Sequence, residues 1–108
     1  MLSQKMVMKG GIVMELKNTI DMMNSEDYKE RFKAEYYQTK IRYEKLKKFN
    51  TKIEAAEQAK FCPPNREGKT MAMPNHDCPV EMLMHQQHIM GEYLHILEVR
   101  AEIESIQL

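Results

Sequence analysis

SEDYKERFKAEYYQTKIRYEKLKKFNTKIEAAEQAK (25–60) is the stretch on which the fold turns. Across it, Phe32, Tyr36, Thr39, Tyr43, Leu46, Asn50 and Ile53 alternate four and three apart. That spacing places all seven on one side of an α-helix and repeats like a coiled-coil seam. Ser25 stands where an N-cap hydroxyl is wanted, with Glu26 and Asp27 in the favourable first turn. The sequence therefore predicts a helix over about 25–60. Asn50 is a polar residue on the seam, and Phe49 beside it is a candidate to pack in its place. Lys and Glu fill the remaining positions, as a solvated face requires.

On the C-terminal side, FCPPNREGKTMAMPNHDC (61–78) breaks the period. Pro63, Pro64, Gly68 and Pro74 exclude a continuous helix, so 61–78 reads as a loop. Helix resumes at Pro79, which fits a first helical position where no N–H is needed. It runs to about Ile106. This second helix carries two apolar stripes. Leu83, Gln87, Met90, Leu94, Leu97 and Ala101 form one; Ile89, Tyr93, Ile96, Val99, Ile103 and Ile106 form the other. One partner helix covers only one stripe. A short N-terminal helix or another subunit must cover the second, and its length favours another subunit. Ile89, Tyr93, Ile96, Val99 and Ile103 are therefore the candidate oligomer interface.

On the N-terminal side, Val13, Leu16, Ile20 and Met23 have helical spacing, which predicts a short helix over about 12–23. Residues 1–11, ending in Gly10-Gly11, read as a flexible tail, and Met14 is a candidate start. The expected fold is all-α: a single domain over 12–108, built on a long antiparallel helical hairpin and oligomeric.

The 108 residues carry 16 Lys/Arg and 16 Asp/Glu, so net charge names no partner. The charge is nevertheless split. Residues 25–60 hold ten Lys/Arg and seven Asp/Glu, and 77–108 hold Arg100 against six Asp/Glu. The first helix thus offers a basic face to an anionic ligand, while the acidic second helix argues against a nucleic-acid duplex lying across both. No apolar run approaches the ~20 residues of a membrane span. No secretory signal is visible, and a cytosolic compartment is expected.

His85, His88 and His95 share the second helix with Glu81, Glu92 and Glu98, but no metalloprotease or di-metal spacing results. Cys62, His76 and Cys78 lack the close cysteine pair of a zinc finger. No phosphate loop, nucleophile elbow or catalytic carboxylate pair appears. A non-enzymatic protein without metal or cofactor is expected. Tyr28, Tyr36, Tyr37 and Tyr43 with Lys29, Arg31, Lys40, Arg42, Lys45 and Lys48 offer rings and cations, the ingredients of nucleotide binding. Tyr36 and Tyr43 lie on the seam, where a core role competes.

ELKNTIDMMNSEDYKERFKAEYYQTKIRYEKLKKF (15–49) and CPVEMLMHQQHIMGEYLHILEVRAEIESIQL (78–108) resemble a family of small phage and prophage proteins first named after crAss-like phages. Tyr28, Arg31 and Glu35 resemble its opening, Cys78 to Leu83 its restart, and Tyr93 to Ile103 its close. The layout is similar to that of phage anti-CBASS sponges, hexameric proteins that sequester cyclic oligonucleotide immune signals. The resemblance implies a phage-encoded counter-defence protein in the host bacterial cytoplasm, binding cyclic di- or trinucleotides between subunits. Tyr28, with Arg31 and with Arg42 or Lys45, would hold the ligand. The competing expectation is a coiled-coil-like protein that binds a host or phage protein through its apolar stripe.

Overall fold

A computed structural model describes residues 5–7, 13–61 and 71–108. Its elements are β1 (Lys5–Val7), β2 (Val13–Glu15), a 3-10 turn (Leu16–Thr19), α1 (Ile20–Met23), α2 (Tyr28–Ala59) and α3 (Val80–Glu104). The helical-hairpin class holds: α2 and α3 are the long elements and pack together, in a body of 56 × 25 × 25 Å. Residues 62–70, half of the expected loop, lie outside the described residues.

The N-terminal segment departs from expectation. Lys5–Val7 is not a loose tail but a strand, paired antiparallel with β2 in the register Lys5 to Glu15 and Val7 to Val13. The helix expected over 12–23 begins only at Leu16. The Glu15 backbone N–H donates to Asn18 Oδ1 at 2.9 Å, and the Glu15 side chain answers the Asn18 backbone. This reciprocal cap fixes the start of the turn. Thr19 is fully buried; its hydroxyl donates to the Leu16 carbonyl and accepts from Gln38 Nε2 of α2. The segment therefore docks on α2, along the side that carries Gln38. Tyr37 and Ile41, off the predicted seam, are buried there too.

The cap of α2 is Asp27, not Ser25. Asp27 Oδ1 accepts from the Lys29 N–H at 3.0 Å, and Ser25 Oγ accepts from the Asp27 N–H. An Asp in this place also complements the positive end of the helix. Pro79 serves as N-cap of α3 and not as its first residue, so the helix starts at Val80, one position later than predicted. At the other end, Ser105 adopts a left-handed conformation (φ 57°), and the Ile106 N–H donates to the Ala101 carbonyl at 2.8 Å. That Schellman-type closure ends α3 at Glu104 and turns Ile106 inward, so Ile106 leaves the second stripe and joins the core.

The core gathers Phe32, Tyr36 and Tyr37 of α2 with Leu94, Leu97 and Ala101 of α3. The seam reading is right for Phe32, Tyr36, Asn50 and Ile53, all buried. The first stripe of α3 faces α2, as expected. The second remains open: Ile89, Tyr93, Ile96, Val99 and Ile103 are all exposed. Among the described residues, the N-terminal segment does not cover it.

Candidate functional site

Two of the hollows that the described residues form combine rings with polar groups away from the chain's C-terminus. The first lies at the start of α2. Tyr28 OH donates to Glu104 Oε1 at 2.9 Å and accepts from Arg100 Nη2. Arg100 Nε also donates to Glu104 Oε2 at 2.9 Å, and its guanidinium lies over the Phe32 ring, 5.0 Å from the centroid. The Tyr28 hydroxyl is held above its ordinary pKa, first by its bond to Glu104. The Glu104 carboxyl is held below its own, first by the same bond. Arg31, beside them, donates to the Ser25 carbonyl at 2.8 Å.

Of the four ligand residues expected from the sequence, only Tyr28 and Arg31 meet here. Arg42 and Lys45 are exposed, 14 and 17 residues further along α2, roughly 21 and 25 Å away at 1.5 Å per residue. One chain does not assemble the four into a site. The Tyr28 end is also small, a hollow of about 170 Å³ lined by Tyr28, Arg31, Phe32, Glu35 and Arg100.

The second place is a groove of about 890 Å³ between the far half of α2 and the start of α3. Tyr43, Asn50, Thr51 and Glu54 line one side; Gln87, His88, Gly91, Glu92, His95 and Ile96 line the other. The seam itself opens it. Asn50 and Gln87 oppose each other where larger apolar pairs close the rest of the hairpin. Gly91 admits the Tyr43 ring: a Cβ there would lie 3.3 Å from Tyr43 Cε1. Lys47 Nζ lies 6.0 Å from the centroid of the same ring. His88 Nε2 lies 3.3 Å from Glu92 Oε1 on the rim.

Asn50 is only 3% exposed. Its Nδ2 donates to the Leu83 carbonyl at 3.1 Å and to Gln87 Oε1 at 2.8 Å. Its Oδ1 is buried with no hydrogen-bond partner among the described residues. An orphaned buried acceptor costs roughly 1–3 kcal/mol and is uncommon in folded proteins. In the sequence Asn50 stands out as a polar residue on the seam, while Gln87 falls within the first stripe of α3. Neither was assigned to the ligand, because nothing in the sequence set them opposite each other.

Away from the groove, the tyrosines work between the helices. Tyr36 OH donates to Glu98 Oε2 at 2.6 Å, and Tyr93 OH donates to Glu35 Oε2 at 2.6 Å. Burial, then the bond to Glu98, pushes the Tyr36 hydroxyl well above its ordinary pKa. Burial raises Tyr37 as well. Tyr36 is thus a core residue, as its place on the seam suggested. Near the loop, His76 Nδ1 donates to the Cys78 carbonyl at 2.7 Å, while Cys62 lies outside the described residues.

Two long paired helices with an open groove between them make this a helical-hairpin protein, and no helix among the described residues is long and apolar enough to cross a membrane. The Sequestin family model matches residues 26–103, and the chain belongs to that family. The match spans α2, the intervening loop and nearly all of α3, and leaves out the β-ribbon and α1. The family name fits a protein that sequesters what it binds. No curated protein and no solved structure matches the chain.

Proposed function

We propose that this is a phage-encoded, non-enzymatic protein that sequesters cyclic di- or trinucleotide immune signals in the host bacterial cytoplasm, with the ligand's base seated in the groove at Asn50. The observation that carries this reading is the unpartnered Asn50 Oδ1. A base N–H supplies the donor that the free protein lacks. Gln87, half-buried above Asn50, moves aside to admit it. Tyr43 offers a ring for stacking, and Lys47 beside that ring offers a cation to a phosphate. Glu54 and Glu92 on the rim oppose anions, so the phosphates lie toward Lys47 rather than across the groove. Sequestration asks for affinity and no reacting group, and the Sequestin membership is in keeping with it.

Native mass spectrometry with a panel of cyclic di- and trinucleotides tests this. The expected result is a protein that gains discrete ligand masses and returns the ligands intact after denaturation. Ligands returned cleaved would overturn the non-enzymatic reading, and no mass gained would overturn the ligand class. The runner-up, a protein-binding helical module, draws on the open stripe of α3. A pull-down that yields one stoichiometric foreign protein, with no nucleotide bound, would favour it.

A further inference from the structure

Met82, Ile89, Ile96 and Ile103 recur every seven residues along α3. They are 59%, 51%, 55% and 77% exposed. Val99 and Tyr93 flank them, 45% and 40% exposed. The row is about 31 Å long at 1.5 Å per residue. A seven-residue repeat of this kind is what keeps one helix seam facing another in a left-handed supercoil. The hairpin itself does not use it, since α2 packs on the Leu94, Leu97 and Ala101 side.

The rest of the described surface limits what can cover the row. The outward positions of α2 include Arg42, Lys45, Lys48 and Lys52, which offer charge and no apolar seam. A head-to-tail contact of α3 on that face would leave the isoleucines wet. A contact of the row with its own copy buries them on both sides, and such self-complementarity is the property of an isologous interface. Charge then chooses the direction. A parallel pair would set Glu92 against Glu92 and Glu102 against Glu102. An antiparallel pair centred on Ile96 removes both clashes and sets His88 near the partner's Glu102, twice. Of the other glutamates on the body of α3, Glu98 and Glu104 bond Tyr36 and Tyr28 on the α2 side.

We infer that a second copy of this chain covers the Ile89 to Ile103 part of the row, through an antiparallel α3–α3 contact about a twofold axis at Ile96. Ile96 then meets its own symmetry mate, and Ile89 meets the partner's Ile103. His88, Glu92 and Ile96 also line the groove, so the partner's α3 forms its outer border. The axis leaves the grooves of both copies on the same side of the dimer. This pairing stands on the apolar row and does not require the ligand reading to hold.

Single-cysteine chains test it in a Cys62→Ser, Cys78→Ser background. The expected result is that Ile96→Cys oxidises to a disulfide-linked dimer. Ile89→Cys and Ile103→Cys each stay unlinked alone and give a linked dimer when mixed. Ile96→Glu, read by light scattering and circular dichroism, is expected to halve the mass or reduce it further at unchanged helix content. Self-linking of Ile89→Cys would show a parallel pair and overturn the axis. A full chain that is monomeric at tens of micromolar, with or without a foreign protein captured on the row, would overturn the second copy as its occupant.

Discussion

From Tyr28 to Tyr43, α2 meets α3 through rings and aliphatic side chains whose polar tips find partners. Tyr28, Tyr36 and, from the other helix, Tyr93 each reach a glutamate across the seam. From Tyr43 to Ala59, the same two helices meet through Asn50 and Gln87 beside an open groove, with Ile53 and Ala56 buried further along. At one end the tyrosine hydroxyls are bonded across the seam; the other keeps an acceptor without a donor. The difference shows where the polar groups hold the two helices together and where one is left unpaired.

The sharpest way to break that contrast is to truncate one apolar residue in each half. Leu97 is 1% exposed in the aromatic end, and Leu97→Ala is expected to cost about 2–5 kcal/mol in chemical denaturation. Leu83 is only half-buried beside the groove, so Leu83→Ala is expected to cost clearly less. Equal losses would mean that the two halves are packed alike.

A smaller effect sharpens the role of the tyrosines. Tyr36→Phe leaves Glu98 without its donor in a half-buried place and is expected to cost about 1–2 kcal/mol. Tyr28→Phe, at the exposed end, is expected to cost less. The pH profile separates the two further. Tyr36 is raised in the folded state, so the folded protein keeps its proton where the unfolded chain loses it. Its contribution is whole below the ordinary tyrosine value of 10.0 and falls away as pH rises above it. Denaturation midpoints at rising alkaline pH should fall more steeply in the wild type than in Tyr36→Phe.

The sequence showed the hairpin plainly because two strong helical periods, the Pro and Gly residues between them and Pro79 all agree on it. It also showed the open stripe of α3, since a helix with two apolar sides exceeds what one neighbour covers. It misplaced the start of the chain. Val13, Leu16 and Ile20 fit a helical period, yet pairing with Lys5–Val7 takes Val13 to Glu15 into a ribbon, and that long-range choice leaves no mark on the local spacing. One chain does not bring the expected ligand set together, for a related reason. Arg42 and Lys45 are plausible cations, but they stand several turns from Tyr28. Tyr28 itself is engaged by Arg100 and Glu104, residues 72 and 76 positions away. Asn50 was visible only as a polar residue on the seam, and Gln87 only as a member of the first stripe of α3. Their meaning depends on the register of the hairpin, which brings them to 2.8 Å.

Calorimetric titration of the tightest-binding cyclic nucleotide into the wild type, Asn50→Leu and Tyr28→Phe tests the groove most directly. Asn50→Leu removes the orphaned oxygen at similar volume and is expected to change stability by no more than about 1 kcal/mol. The expected result is that Asn50→Leu weakens the Kd at least tenfold at unchanged helix content, while Tyr28→Phe binds like the wild type. Wild-type affinity in Asn50→Leu together with loss of binding in Tyr28→Phe would contradict the groove and return the ligand to the arginine–tyrosine end.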